Sequence, residues 1–509
     1  MKNIFIIFSL LLCASLFGQE SNAAPEANGM QSILNEIAND ATFSQAYAGI
    51  CVMDSKGQIL AEINSDKMML PASNMKLITT GAALHILGPD YTFETVLAYD
   101  GAIEDGTLKG NLHIVGGGDP TLASKDSIAI PLERTFAVWE KIIRDAGIKK
   151  IEGCIVGDGR GFEGPAEEST WLWNDIGTYY GAGVTGLMFY ENMQSFSVSA
   201  GSAEGDSVNI KPFYPECPWM DFRFSCSTGK PGTGDRLYMY TSDLAPVAEV
   251  RGTFGVDRAA KRVDCANKFP EYTCARYFEN FLRKKGISCS GGAADYKLMT
   301  EWISGNAPDA PQELAVLGST LSPTLDRIVF ETNHASNNVF AETLFRTLGK
   351  ALTGSACYDS SYVAMDAALA ELNVSTSRGF RIQDGSGLSR QNLLSPEALC
   401  RFLCAMGDSP AFPYFIESLP SPGFSGTLEY NMKGQPAALR SRIKVKSGSM
   451  NGVRCYSGYI LPSEHNEGIS EGLPEGSLII SIMTNNCTSP NWKVRPLLDK
   501  LMVALAKNN

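Results

Sequence analysis

Pro71-Ala72-Ser73-Asn74-Met75-Lys76-Leu77-Ile78-Thr79-Thr80-Gly81-Ala82-Ala83-Leu84 is the stretch on which the reading of this 509-residue chain turns. A Pro-Ala step leads into a run of helical apolar content that stops at Gly88-Pro89. Ser73 and Lys76 stand three apart at its front, so both side chains rise on one helix face. A serine hydroxyl is a poor nucleophile until a base takes its proton. A lysine serves as that base once burial or a neighbouring cation lowers its pKa. Spacing alone is weak, since S-x-x-K recurs at Ser227/Lys230 and Ser441/Lys444. Only Ser73 opens an apolar helix, where its backbone N–H can face a developing oxyanion.

Two further groups carry related chemistry. Ser336-Asn337-Asn338 precedes the helical run Val339-Phe340-Ala341-Glu342, where the Ser336 hydroxyl could relay a proton and the Asn338 amide hold a lysine and a substrate carbonyl. Taken alone it reads equally as an N-cap, and S-x-N also occurs at Ser304/Asn306 and Ser489/Asn491. Lys446-Ser447-Gly448-Ser449 lies in a strand-like run, 443–453, and is the only K-[ST]-G in the chain. A strand there presents a cation and a hydroxyl to a carboxylate, while Gly448 lets a substrate backbone approach; an edge strand with a protective lysine is the plainer alternative.

Around these groups, residues 47–53 and 58–63 read as two strands joined by Asp54-Ser55-Lys56-Gly57. Between about 91 and 306 the texture changes to short β-like runs with a helix at 270–286, which reads as one or two inserted domains. Ala307 to Pro311 resembles a linker, 323–348 is mainly helical, and the chain closes on strand-like 455–461 and 477–484 and an amphipathic run, 492–506.

At roughly 100–200 residues per domain, the length asks for about three or four domains. A net charge of −12 argues against a broad phosphate-binding surface, so nucleic acid is not an expected partner. Lys2, the apolar run 4–17 and Ser21-Asn22-Ala23 together read as a secretory leader, residues 1–23, too short to span a bilayer. Without it, twelve of the thirteen cysteines remain, an even number that suggests disulfides in an oxidising compartment, with Cys217/Cys226 and Cys265/Cys274 able to close short loops. Neither the cysteines nor the four histidines show zinc-site spacing, so no metal and no cofactor is expected.

The three groups Ser73/Lys76, Ser336/Asn338 and Lys446/Ser447/Gly448 stand in the order found in penicillin-recognising serine enzymes. With Gly118-Asp119-Pro120-Thr121-Leu122, Asp384-Gly385-Ser386-Gly387-Leu388-Ser389-Arg390 and Ser457-Gly458-Tyr459, the chain resembles the class C low-molecular-mass penicillin-binding proteins. These are D-alanyl-D-alanine carboxypeptidase/endopeptidases of the S13 type. The resemblance implies an α+β fold: a transpeptidase-like domain shared with serine β-lactamases, its antiparallel sheet flanked by helices, carrying two nested β-rich inserted domains. The implied boundaries are 24–94 and 307–509 for the catalytic domain, 95–194 and 267–306 for the first insertion, and 195–266 for the second. The mature cysteines then divide evenly, six to the catalytic domain and six to the insertions, so each body could close its own disulfides.

Implied too is a chemistry. Ser73 attacks the bond between two D-alanines of a peptidoglycan stem peptide to give an acyl-enzyme, which β-lactams mimic. Lys76 is the base, its pKa held down by Lys446. Ser336 passes the proton to the leaving amine and Asn338 orients the peptide. Lys446 and Ser447 hold the terminal carboxylate, and the N–H groups of Ser73 and Ser449 form the oxyanion hole. Asp158 and Arg390 occupy places that, in relatives, help bind a diaminopimelate side chain. The sequence departs from the family in Ser-Asn-Asn for Ser-Asp-Asn and Lys-Ser-Gly for Lys-Thr-Gly, and both keep the functional groups. The expected partners are stem peptides ending in D-Ala-D-Ala, D-Ala cross-links and β-lactams. The expected place is the periplasm, with the C-terminal amphipathic run as a means of lying against the membrane. A serine β-lactamase of related fold, or a non-catalytic cell-wall scaffold, are the competing readings.

Overall fold

The computed structural model describes residues 23–305, 308–311, 313–463 and 469–509. The expected leader lies outside the described residues except for its last position. A five-stranded antiparallel sheet runs in the order Ile59–Ile63, Tyr47–Asp54, Leu478–Asn485, Val453–Ile460, Ile443–Met450. Its three central strands, Tyr47–Asp54, Leu478–Asn485 and Val453–Ile460, are buried on both faces because both are covered. Along Tyr47–Asp54, Cys51 and Met53 point to one core, with Met75, Ile78, Leu399 and Leu403 from helices; Ile50 and Val52 point to the other. There they meet Met30 and Leu34 of helix Ala23–Ala38 and Leu498 and Leu501 of helix Asn491–Lys507. The apolar face of the C-terminal helix is therefore used inside the fold. Among the described residues, no helix is long and apolar enough to cross a membrane.

The helix carrying Lys76, Met75–Leu87, is buried along ten of its residues and packs against Leu325–His334, Asn338–Thr353 and Tyr358–Glu371. Its Gly88 cap, at φ 80, stops it where the sequence indicates. The helical stretch expected over 323–348 is two helices, broken at Ser336.

The chain leaves this domain at strand Glu94–Tyr99 and builds a five-stranded sheet, ordered Ala293–Asp295, Ile155–Asp158, Leu112–Gly116, Glu94–Tyr99, Ala315–Leu321. In the first inserted body the helix expected over 270–286 is Pro270–Lys284, and with helix Leu132–Asp145 it covers the sheet through Phe136, Trp139, Phe278 and Leu282. Its end also differs. Leu321 pairs with Glu94, and Ser322 N–H donates to Phe93 O, so the chain finishes this sheet and returns at Ser322 rather than at 307. The second insertion is two three-stranded sheets, one around Met193–Ser199 and one around Ala245–Gly255.

The twelve described cysteines are unbonded to one another in this structure, and the two short-loop pairings suggested by the sequence, Cys217/Cys226 and Cys265/Cys274, are not formed. Sequence neighbours are turned apart by the fold. The Cys217 Sγ faces Pro215 O in a buried loop, and Cys226 Sγ faces Val250 O across its sheet. Cys265 is in strand Lys261–Ala266, whereas Cys274 points from helix Pro270–Lys284 into the core of the first insertion.

Candidate active site

Ser73 sits on a 3₁₀ turn, Ala72–Asn74, immediately before the buried helix, with Ala72 at φ 46. Two glycines let other segments close on that turn. A Cβ at Gly387, where φ is 85, would stand 1.9 Å from Ala72 O, and one at Gly448 would stand 2.6 Å from Pro71 O. Gly448 thus brings strand Ile443–Met450 against the Ser73 turn, a reason other than the substrate approach its sequence suggests. Asn74 Nδ2 donates to Ser457 Oγ, 2.7 Å away, and fixes the turn to the neighbouring strand.

Lys76 is fully buried. Its Nζ lies 2.6 Å from Asn338 Oδ1, 2.7 Å from Ser386 O and 3.3 Å from Ser73 Oγ. Burial pulls its pKa down to about 7, against the opposing pull of Asp384 and Glu342. A neutral amine has two N–H donors and one lone pair. Asn338 and Ser386 take the two donors, which leaves the lone pair to Ser73.

Lys446 is buried as well, and its Nζ donates to Ser336 Oγ and Ser447 O, each at 2.9 Å. Burial, then the nearby Lys76, hold its pKa well below the usual lysine range. The expected direction of influence is therefore changed: burial, rather than Lys446, is the first cause of the Lys76 shift. Ser447 Oγ donates to Thr427 Oγ1, 2.8 Å away. Asn338 Nδ2 is taken by Tyr180 O at 2.8 Å, so this amide holds the lysine and the inserted segment together instead of standing free for a substrate carbonyl.

Ser73, Ser336, Asn338, Ser447, Ser449 and Arg390 all line one cleft of 1170 Å³. Asp158 is not among its walls. It is buried in strand Ile155–Asp158, where both carboxylate oxygens accept from the Arg160 guanidinium. The carboxylate that faces Arg390 in the cleft is Asp175, from the same inserted body. Burial raises its pKa, while a hydrogen bond from Tyr180 and the charge of Arg390 oppose that rise. The position assigned to Asp158 is filled by Asp175. The aromatic density of Trp171-Leu172-Trp173-Asn174-Asp175-Ile176-Gly177-Thr178-Tyr179-Tyr180 was the available signal.

Behind the cleft lie two buried carboxyls to which the sequence assigned no role: Asp384, which opens the motif quoted above, and Glu342. Asp384 accepts from Gly387 N, Ser389 N, Asn392 Nδ2 and Trp171 Nε1. Glu342 accepts from Ser386 N at 2.7 Å, and burial with the nearby Asp384 pushes it up to about 8. Asp384, with four donors, keeps the charge, and Glu342 is the protonated member. Together they fold the Asp384–Arg390 loop so that Ser386 O meets Lys76. Glu342 lies one helical turn beyond Asn338, the spacing that could have revealed it. Among the described residues, no group of three or more His, Cys, Asp or Glu side chains is arranged to hold a metal ion.

Residues 30–505 match the model of the D-Ala-D-Ala carboxypeptidase 3 (S13) family. A D-alanyl-D-alanine carboxypeptidase of Actinomadura sp. (strain R39) is 28% identical over 497 residues, covering 94% of this chain and 86% of that protein. The D-alanyl-D-alanine carboxypeptidase DacB of Haemophilus influenzae is 24% identical over 80% of each chain. The crystal structure of penicillin binding protein 4 from Haemophilus influenzae superposes with a TM-score of 0.76 at 22% identity, covering 94% of this chain and 98% of that one, a likeness of fold. With the match running through both insertions and all three motif groups, this chain belongs to the D-Ala-D-Ala carboxypeptidase 3 (S13) family of peptidases.

Proposed function

We propose that this protein is an exported serine D-Ala-D-Ala carboxypeptidase and endopeptidase that acts on peptidoglycan stem peptides through an acyl-enzyme on Ser73 and is acylated by β-lactams. The observation that carries the reading is the Lys76 amine, with Asn338 Oδ1 and Ser386 O on its donors and Ser73 Oγ at 3.3 Å from its nitrogen.

The steps follow from that arrangement. Neutral Lys76 takes the Ser73 proton as Oγ attacks the D-Ala carbonyl, and the resulting ammonium is held by Asn338 and Ser386. The N–H groups of Ser73 and Ser449 face the developing oxyanion, an interaction whose loss typically costs about 2.7–4 kcal/mol. Ser336, bonded to Lys446, gives its hydroxyl proton to the leaving amine and takes in its place the proton that Lys76 removed from Ser73, so both hydroxyl and amine are restored before hydrolysis. Lys446, Ser447 and Thr427 receive the terminal carboxylate. Asp175 and Arg390 offer a carboxylate and a guanidinium to the amine and carboxylate of a diamino-acid side chain. Water then hydrolyses the ester on Ser73.

The cleft is larger than the ~300–1,000 Å³ usual for small-ligand pockets, which supports room for a cross-linked pair of peptides beside the terminal substrate. The leader at residues 1–23 supports export to the periplasm, where that substrate is found. A β-lactam complex of the Haemophilus influenzae penicillin binding protein 4, 20% identical, is in keeping with the antibiotic as a ligand of this fold. Mass analysis of defined uncross-linked and cross-linked muropeptides tests the reading. Release of terminal D-alanine and cleavage of the cross-link are expected; intact substrates in both cases would overturn it.

A further inference from the structure

Beyond the reacting groups, the inserted side of the cleft carries aromatic rings that the chemistry above does not use. Trp173 is 58% exposed, Tyr179 51% and Tyr238 44%, and Leu172 beside them 40%. Tyr179, Tyr238 and Leu172 line the same cleft as Ser73, so the patch runs without a break from the reacting groups to the rim. Its two halves come from distant parts of the chain. Residues 172–180 lie on strand Asp235–Ser242 of the second insertion, and the contact is close: a Cβ at Gly177 would stand 1.8 Å from Met239 O. Strand alternation turns Met239 into the core and Tyr238 and Tyr240 outward. Trp173 then meets Tyr240 with ring centroids 6.4 Å apart, and the Arg251 guanidinium covers Tyr240 at 5.0 Å.

Large apolar rings left in water cost free energy that a partner recovers, and contiguous exposed patches of this kind mark interaction sites. Planar rings with hydroxyl tips, flanked by an Arg251–Glu249 pair at 2.6 Å, suit a ligand with apolar ring faces and hydroxyl or amide edges. They do not suit a polyanion, given the net charge of −12. A chain of N-acetylated sugars has that chemistry, and it is the covalent carrier of the stem peptides proposed as substrate.

We infer that the Trp173–Tyr238–Tyr240 surface binds the amino-sugar strand of peptidoglycan and feeds its attached peptide to Ser73. The inference rests on the proposed peptidoglycan substrate. The cleft commits the surface to a ligand continuous with the scissile peptide, so a glycan chain is favoured over a separate protein.

Two soluble substrates of identical peptide, one bearing its disaccharide and one without, test it with the full chain. Wild type is expected to show a KM several-fold lower for the disaccharide form. Trp173→Ala and Tyr240→Ala, neither of which lines the cleft, should each abolish that preference while leaving kcat and KM for the free peptide unchanged. Equal KM values for the two substrates in wild type, or a rise in KM for both substrates in the variants, would overturn the inference. If neither substrate is cut, the proposed peptidase reading fails, and binding decides the glycan claim separately. Glycan strands freed of stem peptides and coupled to beads should then pellet the Ser73→Ala chain and pellet its Trp173→Ala derivative far less. Equal pelleting of the two, or none of either, would overturn the inference.

Discussion

Lys446 Nζ stands 2.9 Å from Ser336 Oγ, and Ser336 reaches that position only through left-handed backbone, at φ 59. A non-glycine residue there costs of order 1–3 kcal/mol, strain kept where the surrounding structure fixes the residue. Ser336 lies in the break between helices Leu325–His334 and Asn338–Thr353, and that break turns its hydroxyl toward Lys446. Ser336→Gly should therefore leave the melting temperature unchanged or raised while lowering peptide turnover by about 10²–10⁴-fold, the usual worth of a positioned proton donor. Thermal denaturation beside a peptidase assay checks both halves.

Acylation should rise with pH through about 7 and level off above it. Burial lowers the Lys76 pKa to that value, so the proton-accepting amine is the minor form below pH 7 and the major form above. Stopped-flow rates of β-lactam acylation between pH 5 and 9 measure the profile. Lys76→Met, which has no lone pair to offer, should be slow throughout that range.

Substrate binding should take up a proton. In the empty cleft, burial and Lys76 favour neutral Lys446. An incoming carboxylate favours its ammonium instead, raising the pKa on binding. Calorimetry of a D-Ala-D-Ala peptide with the Ser73→Ala chain, in buffers of different ionisation enthalpy, should give heats that track the buffer, with the sign of proton uptake. Lys446→Met should remove that dependence.

Asp175 and Asp158 should separate cleanly. Asp175→Asn should raise KM about 10-fold for peptides with a free diamino-acid amine and leave those without one little changed. That factor corresponds to about 1.4 kcal/mol, close to the lower end of the ~1.5–3 kcal/mol typical of a hydrogen bond to a charged group. Asp158→Asn weakens the hold of a buried carboxylate on the half-exposed Arg160, outside the walls of the cleft, so it should lower stability by about 0.5–1.5 kcal/mol with kcat/KM for the folded protein unchanged. Denaturant unfolding and steady-state kinetics on both variants distinguish them.

Much of this was legible because the chemistry is local in sequence. Ser73 and Lys76 share a helix face, and the continuous apolar runs in Tyr47–Asp54 and Leu478–Asn485 are those of strands covered on both sides. What escaped was set by contacts between distant segments. Asp158 and Asp175 are both polar residues beside turns, and only the path of residues 163–184 over the cleft decides which faces Arg390. Gly448 looked like an opening for substrate, whereas its lack of a side chain serves the 2.6 Å approach to Pro71 O. The cysteine pairing failed for the same reason: nearness along the chain between Cys265 and Cys274 says nothing of which core each side chain enters. Strand Ala315–Leu321, beyond a linker-like Pro-Ala stretch, was assigned to the wrong body because pairing with Glu94–Tyr99 leaves no mark in its own sequence.

The central claim is that Ser73 is the nucleophile and Lys76 its base. Incubation with a fluorescent penicillin, followed by mass mapping of the labelled peptide, tests it most directly. The expected result is one acyl group per chain, on Ser73, absent in Ser73→Ala and strongly slowed in Lys76→Met. An unlabelled wild type, or equal labelling of Ser73→Ala, would contradict it.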